Sequence, residues 1–226
     1  RFNRARVAVE NFYYRKLLRE LLKTSKLGHG LVVTGAESGA NFEHIYDNRP
    51  QGSYLIGRLI DRKLLNLRSA EATRIRKNTI RQLVWNEIQN NTQHGCQTKV
   101  LDLASGSARY LRELAREHSN KEIESLCVDK DPHSVRLSQS LCKNEGLKNI
   151  RFIQTDILRM GRLQRLGSRL NWRANVVIAA GLFMYFKDSE VERMLKEIHA
   201  YLPANGLVVF TSVERLEIKK LMRKTM

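Results

Sequence analysis

The sequence predicts an α/β fold: a three-layer sandwich around a mostly parallel sheet of at least five strands, preceded by an N-terminal helical extension. Three observations carry this. From Lys99 onward, short runs rich in Val, Ile and Leu alternate with longer stretches of helical spacing, the pattern of strand–helix–strand units. The first run, Val100-Leu101-Asp102-Leu103, passes into a turn of small residues, Ala104 to Ala108, and then into a helix. The second and third strands end near the carboxylates Asp129 and Asp156, and the fourth in small residues, at the end where a parallel sheet binds its ligand.

The elements follow in order. Residues 4–24 read as a basic amphipathic helix, with Phe12, Leu17, Leu18 and Leu21 on its apolar stripe and Arg15, Lys16, Arg19 and Lys23 between them. Such a helix packs its stripe on its own domain or lies on a membrane surface. Residues 25–42, holding Gly28, Gly30, Gly35 and Gly39, predict a loop, and 46–52 (YDNRPQG) predicts turns. Residues 54–66 predict a helix. A longer one covers 69–90, with Ile75, Ile80, Leu83, Val84 and Ile88 as its inner face, ended by Asn90, Asn91 and Gly95. Residues 1–97 therefore read as a helical extension and loop, expected to cap a ligand site, and 98–226 as the main domain.

In the main domain, strands are expected at 99–104, 123–128, 150–155, 175–180 and 206–212. Helices are expected at about 107–118, 132–144 and 188–202, the second opened by the N-cap and first-turn pair Asp131-Pro132. The chain starts at Arg1 and reads as a piece of a longer one. After the fifth strand only a basic helical stretch leads to Met226, so that strand reads as an exposed edge and the domain as truncated there.

Composition sets bounds. At 42% hydrophobic residues the 226-residue chain can bury a core, and no run reaches the ~18 apolar residues of a membrane helix. Cys96, Cys127 and Cys142 are widely spaced with no C-x-x-C, which points to a reducing, cytoplasmic setting and away from a metal site. The 40 Lys and Arg against 23 Asp and Glu give a net charge of +17, spread along the chain. That favours an anionic partner such as RNA, anionic lipid or an acidic substrate, or else marks a basic surface with no partner. The stretch 159–173 (RMGRLQRLGSRLNWR) interleaves arginines with apolar residues. It suits contact with lipid or RNA, and equally a crossover segment with a solvated basic edge.

The first turn decides the ligand. A dinucleotide site needs G-x-G-x-x-G to cradle a pyrophosphate, whereas this turn has Gly106 alone and a carboxylate, Asp102, just before it. A carboxylate there repels a pyrophosphate and suits a positively charged ligand without phosphate, such as S-adenosylmethionine (SAM). Gly106 would let the backbone approach that ligand closely. The residues read as cofactor-binding are Asp102, Ala104, Ser105, Gly106 and Arg109 at the first turn, and Asp129 with Lys130 at the end of the second strand. Asp129, 23 positions after Gly106, suits the ribose hydroxyls. Asp156 suits the adenine amino group and Ile157 the ring face. Ala180 and Gly181 leave room beneath the methionine part, and Arg49 and Arg58 suit a carboxylate of the cofactor or an anionic substrate. Each has an ordinary alternative: a surface acid for Asp129, a helix N-cap for Asp156, a local ion pair for Arg49.

The turn resembles the first motif of the class I SAM-dependent methyltransferases, D/E-x-x-x-G-x-G, with Ala108 in place of the last glycine. Residues 46–66 (YDNRPQGSYLIGRLIDRKLLN), then a basic helix and VLDLASGSARY, resemble a family of bacterial methyltransferase domains often fused to a lysophospholipase-like hydrolase. The resemblance covers about 42–213. It implies a Rossmann-like sheet of order 3-2-1-4-5, SAM as cofactor and methyl transfer as the activity. It also implies a hydrolase partner outside this chain, which has no G-x-S-x-G turn. The acceptor is expected to be a small molecule or lipid headgroup, because Ala179 to Leu182 stand where methylases of base amines carry N/D-P-P-Y/F. RNA methylation at ribose or a ring nitrogen, and a SAM-binding module without turnover, are the alternatives. His29, His44, Tyr46 and Tyr185 are candidate bases in no recognisable arrangement, so no catalytic residue is assigned.

Overall fold

The computed structural model describes residues 16–35, 38–157 and 163–211. Its sheet has five strands: β1 Thr98–Leu103, β2 Ile123–Asp129, β3 Ile150–Gln154, β4 Val176–Ala179 and β5 Leu207–Phe210. The order is β3-β2-β1-β4-β5, and every pairing is parallel, as the sequence and its resemblance implied. Register sets the strand ends level: Leu103 pairs with Val128, Asp129 with Gln154, and Asp102 with Ile178.

The described residues also hold nine helices: α1 (16–23), α2 Lys26–Val33, α3 Gly39–Asp47, α4 Tyr54–Leu65, α5 Arg68–Gln93, α6 Arg109–Glu117, α7 Pro132–Asn144, α8 Leu163–Leu170 and α9 Asp188–Tyr201. The chain forms two compact units, Arg1–Thr79 and Ile80–Met226. Residues 4–15 of the first expected helix, the start of the 159–173 stretch, and residue 212 of the expected fifth strand lie outside the described residues.

The sheet is buried on both faces, which is why its strands read as near-continuous apolar runs. Successive side chains of a strand point to opposite faces. Val100, Val176 and Ile178 pack on one side with Leu111 and Leu114 of α6 and Ile80, Val84 and Ile88 of α5. Leu101, Leu103, Val177 and Ala179 pack on the other with Trp172 and with Met194, Ile198 and Tyr201 around α9. The α5 stripe is narrower than expected: Ile80, Val84 and Ile88 recur every four residues and are buried, whereas Ile75 and Leu83 are exposed. The second unit begins at Ile80, inside α5, where that stripe starts.

The first unit corrects one expectation. Residues 25–42 are not a loop but hold α2 and the start of α3. Ser25 caps α2, its Oγ accepting the Gly28 N–H at 2.9 Å and donating to Asp61 Oδ1 at 2.7 Å. Gly28 and Gly57 serve close approach rather than chain reversal: a Cβ on Gly28 would meet the Leu22 carbonyl oxygen at 2.2 Å, and one on Gly57 the Thr24 carbonyl oxygen at 2.3 Å. Asp61, on α4, is the hub. It accepts from Leu27 N and Ser25 Oγ on one oxygen, and from Gln51 N and His44 Nε2 on the other, all within 2.8 Å. Burial pushes its carboxyl up, but the backbone N–H groups of Gln51 and Leu27, with Ser25 and His44, outweigh it and hold the group below the usual carboxylate range. An ionised Asp61 only accepts, so His44 carries its proton on Nε2. Among the described residues, no helix is long and apolar enough to cross a membrane.

Candidate cofactor site

The site is built on the turn between β1 and α6. Three alternate residues of it are left-handed: Ala104 at φ 57°, Gly106 at φ 53° and Ala108 at φ 49°. Only glycine takes this conformation without cost; an L-residue pays about 1–2 kcal/mol. Neighbouring elements hold the turn in this shape. Ser105 N–H donates to the Val128 carbonyl at 3.1 Å, and Gly106 N–H to Asp129 Oδ2 at 2.8 Å, so β2 fixes it from one side. From α7, Ser138 Oγ donates to the Gly106 carbonyl at 2.9 Å. From α6, Arg112 Nη1 donates to the Ser107 carbonyl at 3.0 Å. Arg112 is fully buried and pairs with Glu145 at the end of α7 through Nη2 at 3.0 Å and Nε at 3.2 Å.

Asp102 lies beneath this turn and not on its open side. It is fully buried, and Tyr110 Oη donates to its Oδ2 at 2.6 Å, while Oδ1 has no partner. Burial pushes its carboxyl up to about 8; the Tyr110 hydroxyl lowers it and the Asp129 charge raises it. At neutral pH Asp102 is therefore mostly protonated, unlike the free charge the sequence suggested. Asp129 stands at the rim instead: it is part-exposed, and its other oxygen accepts Asp131 N–H at 2.9 Å. Each carboxylate oxygen has two lone-pair sites, so both keep acceptor capacity.

The structure brings Asp129, Lys130 and the 104–109 turn to one end of the sheet. Asp156 and Ile157 follow β3 at that end, and Ala180 and Gly181 follow β4. Gly181 is left-handed at φ 66°, its N–H held by Thr211 Oγ1 at 2.7 Å. Arg109 pairs with Glu113 at 3.1 Å on its own helix. Arg49 is exposed in the first unit after α3. Of the candidate bases, His44 is buried on Asp61, His29 and Tyr46 belong to the first unit, and Tyr185 follows β4 in a short 3₁₀ turn, Phe183–Tyr185. Cys127 and Cys142 are buried thiols, their ionisation pushed up by burial, Cys142 to about 11. That suits inert core residues.

Tyr110, Arg112 and Ser138 were not singled out from sequence. The available signal was a charged residue, Arg112, amid the buried positions Tyr110, Leu111, Leu114 and Ala115 of α6.

A SAM-like ligand fits this cradle on two counts. A Cβ built on Gly106 meets no protein atom within 4 Å, so the space over the turn is open and would be filled by any side chain. The acids at the strand ends offer acceptors and no phosphate-binding glycine loop. Among the described residues no cluster of His, Cys, Asp and Glu is arranged for a metal ion.

This chain is similar to several known proteins. The chain is 29% identical over 183 residues to the "Uncharacterized protein YnbC" of Escherichia coli (strain K12), covering 80% of this chain and 30% of that protein. It therefore spans about a third of that relative's length. A solved structure described as a possible exported protein from Bordetella parapertussis has a TM-score of 0.62 at 17% identity, over 84% of this chain and 59% of that one. PKMT2 from Rickettsia typhi, solved in complex with AdoHcy, has a TM-score of 0.46 at 17% identity, over 57% of this chain and 24% of that one. The profile of a family described as "Putative methyltransferase" matches residues 2–215, nearly the whole chain. The chain thus belongs to this methyltransferase family and has the Rossmann-like fold of the class I SAM-dependent methyltransferases.

Proposed function

We propose that this chain transfers a methyl group from SAM to a small-molecule or lipid-headgroup acceptor. The observation that carries the reading is the Asp129–Gly106 hydrogen bond under an open space, an acidic strand end locked to a glycine turn. A bound SAM supplies an electrophilic methyl, so the protein's task is binding and alignment. In this reading Asp129 accepts from the ribose hydroxyls, Asp156 from the adenine amino group, and Ile157 packs on the ring. Lys130, Arg109, Ser105 and Ala104 border the same cradle, and Ala180 and Gly181 leave room beside it. The buried Asp102 supports the turn from below through Tyr110. Arg49 is assigned to an anionic group of cofactor or acceptor. Tyr185, beyond β4, is the candidate base where the acceptor must lose a proton. The setting is cytoplasmic and membrane-peripheral, and a hydrolase domain outside this chain belongs to the same reading.

Calorimetry with SAM and its demethylated product, on wild type and Asp129→Ala, tests the cofactor. We expect binding in the micromolar range, about −8 kcal/mol, weakened by the substitution. Transfer of labelled methyl into a lipid or small-molecule extract tests the acceptor. Label appearing only in RNA, with RNA affinity that falls steeply with salt, would replace it by RNA methylation. Binding without transfer to any extract would leave a SAM-binding module.

A further inference from the structure

The outer face of α4 has no place in the reading above. Tyr54 is 86% exposed and Leu55 74%, and Ile56 and Leu59 are also exposed. The inner face holds Gly57, Asp61 and Leu65, all buried. Residues 55, 58, 59, 62 and 63 share one side of a helix with 3.6 residues per turn. That side interleaves Leu55 and Leu59 with Arg58, Arg62 and Lys63, all exposed, and Tyr54 and Ile56 are exposed at the start of the helix. The single acid of the helix, Asp61, is buried on the opposite side in the hydrogen-bonded hub. The exposed residues of α4 therefore include four large apolar side chains and three cations, with no acid.

A second observation is independent of exposure. Tyr54 has φ 57°, a left-handed conformation unusual for a bulky residue. Strain of this kind persists where surrounding structure imposes it and clusters at sites that meet a ligand or partner. Here Gly52, Gly57 and Asp61 hold the start of α4 close to the segment 24–27. A Cβ on Gly52 would lie 2.7 Å from the Thr24 carbonyl oxygen, and Asp61 Oδ1 takes the Leu27 N–H at 2.7 Å. The anchored backbone turns the Tyr54 ring outward.

We infer that the outer face of α4 docks on an anionic lipid surface, with Tyr54, Leu55, Ile56 and Leu59 entering the interfacial layer and Arg58, Arg62 and Lys63 meeting lipid phosphates. An apolar patch with an aromatic ring and basic flanks is the chemistry of an interfacial helix, and cations beside it add attraction to negative headgroups. This deepens the lipid-headgroup reading and rests on it only for the acceptor, because docking is measured without turnover.

The test is flotation of the chain with vesicles of phosphatidylcholine alone, and of phosphatidylcholine with one third phosphatidylglycerol. The variants are Leu55→Ser/Leu59→Ser, Arg62→Gln/Lys63→Gln, and a charge-matched control, Lys121→Gln/Lys196→Gln. Circular dichroism checks folding, and SAM affinity is measured in parallel. We expect at least tenfold tighter binding to the anionic vesicles, a tenfold or greater loss in both α4 variants, little loss in the control, and unchanged SAM affinity throughout. Equal losses in the α4 and control charge variants would overturn the inference, because the net charge alone would then explain binding. So would vesicle binding that survives Leu55→Ser/Leu59→Ser, or a loss of SAM affinity in that variant with docking intact, which would make this face part of the protein's own ligand site. Normal SAM binding without vesicle docking refutes this inference and leaves the methyltransferase reading standing.

Discussion

Asp129 at the end of β2 holds Gly106 in the turn after β1, its Oδ2 accepting the glycine N–H at 2.8 Å. One side chain thus joins the two neighbouring strand ends that frame the cradle. Asp129→Ala removes both the tie and the proposed ribose acceptor. A hydrogen bond to a charged group contributes about 1.5–3 kcal/mol, so SAM affinity should fall roughly tenfold to a hundredfold. Asp129→Asn keeps an oxygen for Gly106 and should lose less. Calorimetry decides; unchanged affinity in the alanine variant would separate Asp129 from the ligand.

Asp102 predicts a pH dependence. Its carboxyl rises from 3.8 to about 8 through burial. The folded state holds that proton over a range where the unfolded chain has released it. The stabilising contribution is therefore complete below about pH 4 and is lost as pH rises towards 8, at about 1.4 kcal/mol per pH unit in between. Urea denaturation of wild type and Asp102→Asn across this range should show the extra slope in wild type alone. Parallel curves would mean that Asp102 ionises normally.

The left-handed alanines predict stabilising substitutions. Ala104 is exposed at φ 57°, so Ala104→Gly relieves strain and loses no packing. A gain of about 0.5–1 kcal/mol is expected. Ala108, at φ 49°, is buried, and losing its methyl offsets the relief, so Ala108→Gly should be near neutral. Gly106→Ala places a methyl in open space: a modest stability loss of about 1 kcal/mol from its φ of 53°, but SAM affinity reduced more than tenfold. Thermal melts with calorimetry read all three.

Arg112 is a buried cation whose charge is met by Glu145. Glu145→Ala leaves it uncompensated, and breaking a buried pair costs about 3–5 kcal/mol. Glu145 is partly exposed and also meets Arg116 at 3.3 Å, so a loss near the lower figure, about 3 kcal/mol, is expected. Arg112→Met/Glu145→Leu should be less damaging than Glu145→Ala. If the double variant is the worse of the two, the pair contributes more than the charge it neutralises.

The second unit was legible because period and punctuation agreed there. Asp131 caps α7 through the N–H groups of His133 and Ser134, as the Asp-Pro pair announced, and the apolar runs became buried strands within one or two residues of their expected ends. The first unit was harder because its glycines serve packing. Gly28 looks like a loop residue until the Leu22 carbonyl against it is seen. The Asp61 hub gathers Ser25, Leu27, His44 and Gln51 from three places in the chain, and no local pattern announces such a meeting. Asp102 was found by motif, but its ionisation depends on Tyr110 and on complete burial, which spacing alone does not reveal.

Two of the three left-handed places beneath the proposed ligand are filled by alanine. The hydrogen bonds from Asp129, Ser138 and Arg112 make that tolerable, because the loop is moulded by its surroundings rather than by its own flexibility. Glycine spelling and cradle geometry can then drift apart during descent. A search for relatives that scores an Asp, Arg and Ser bracing the loop would recover lineages that a glycine pattern discards.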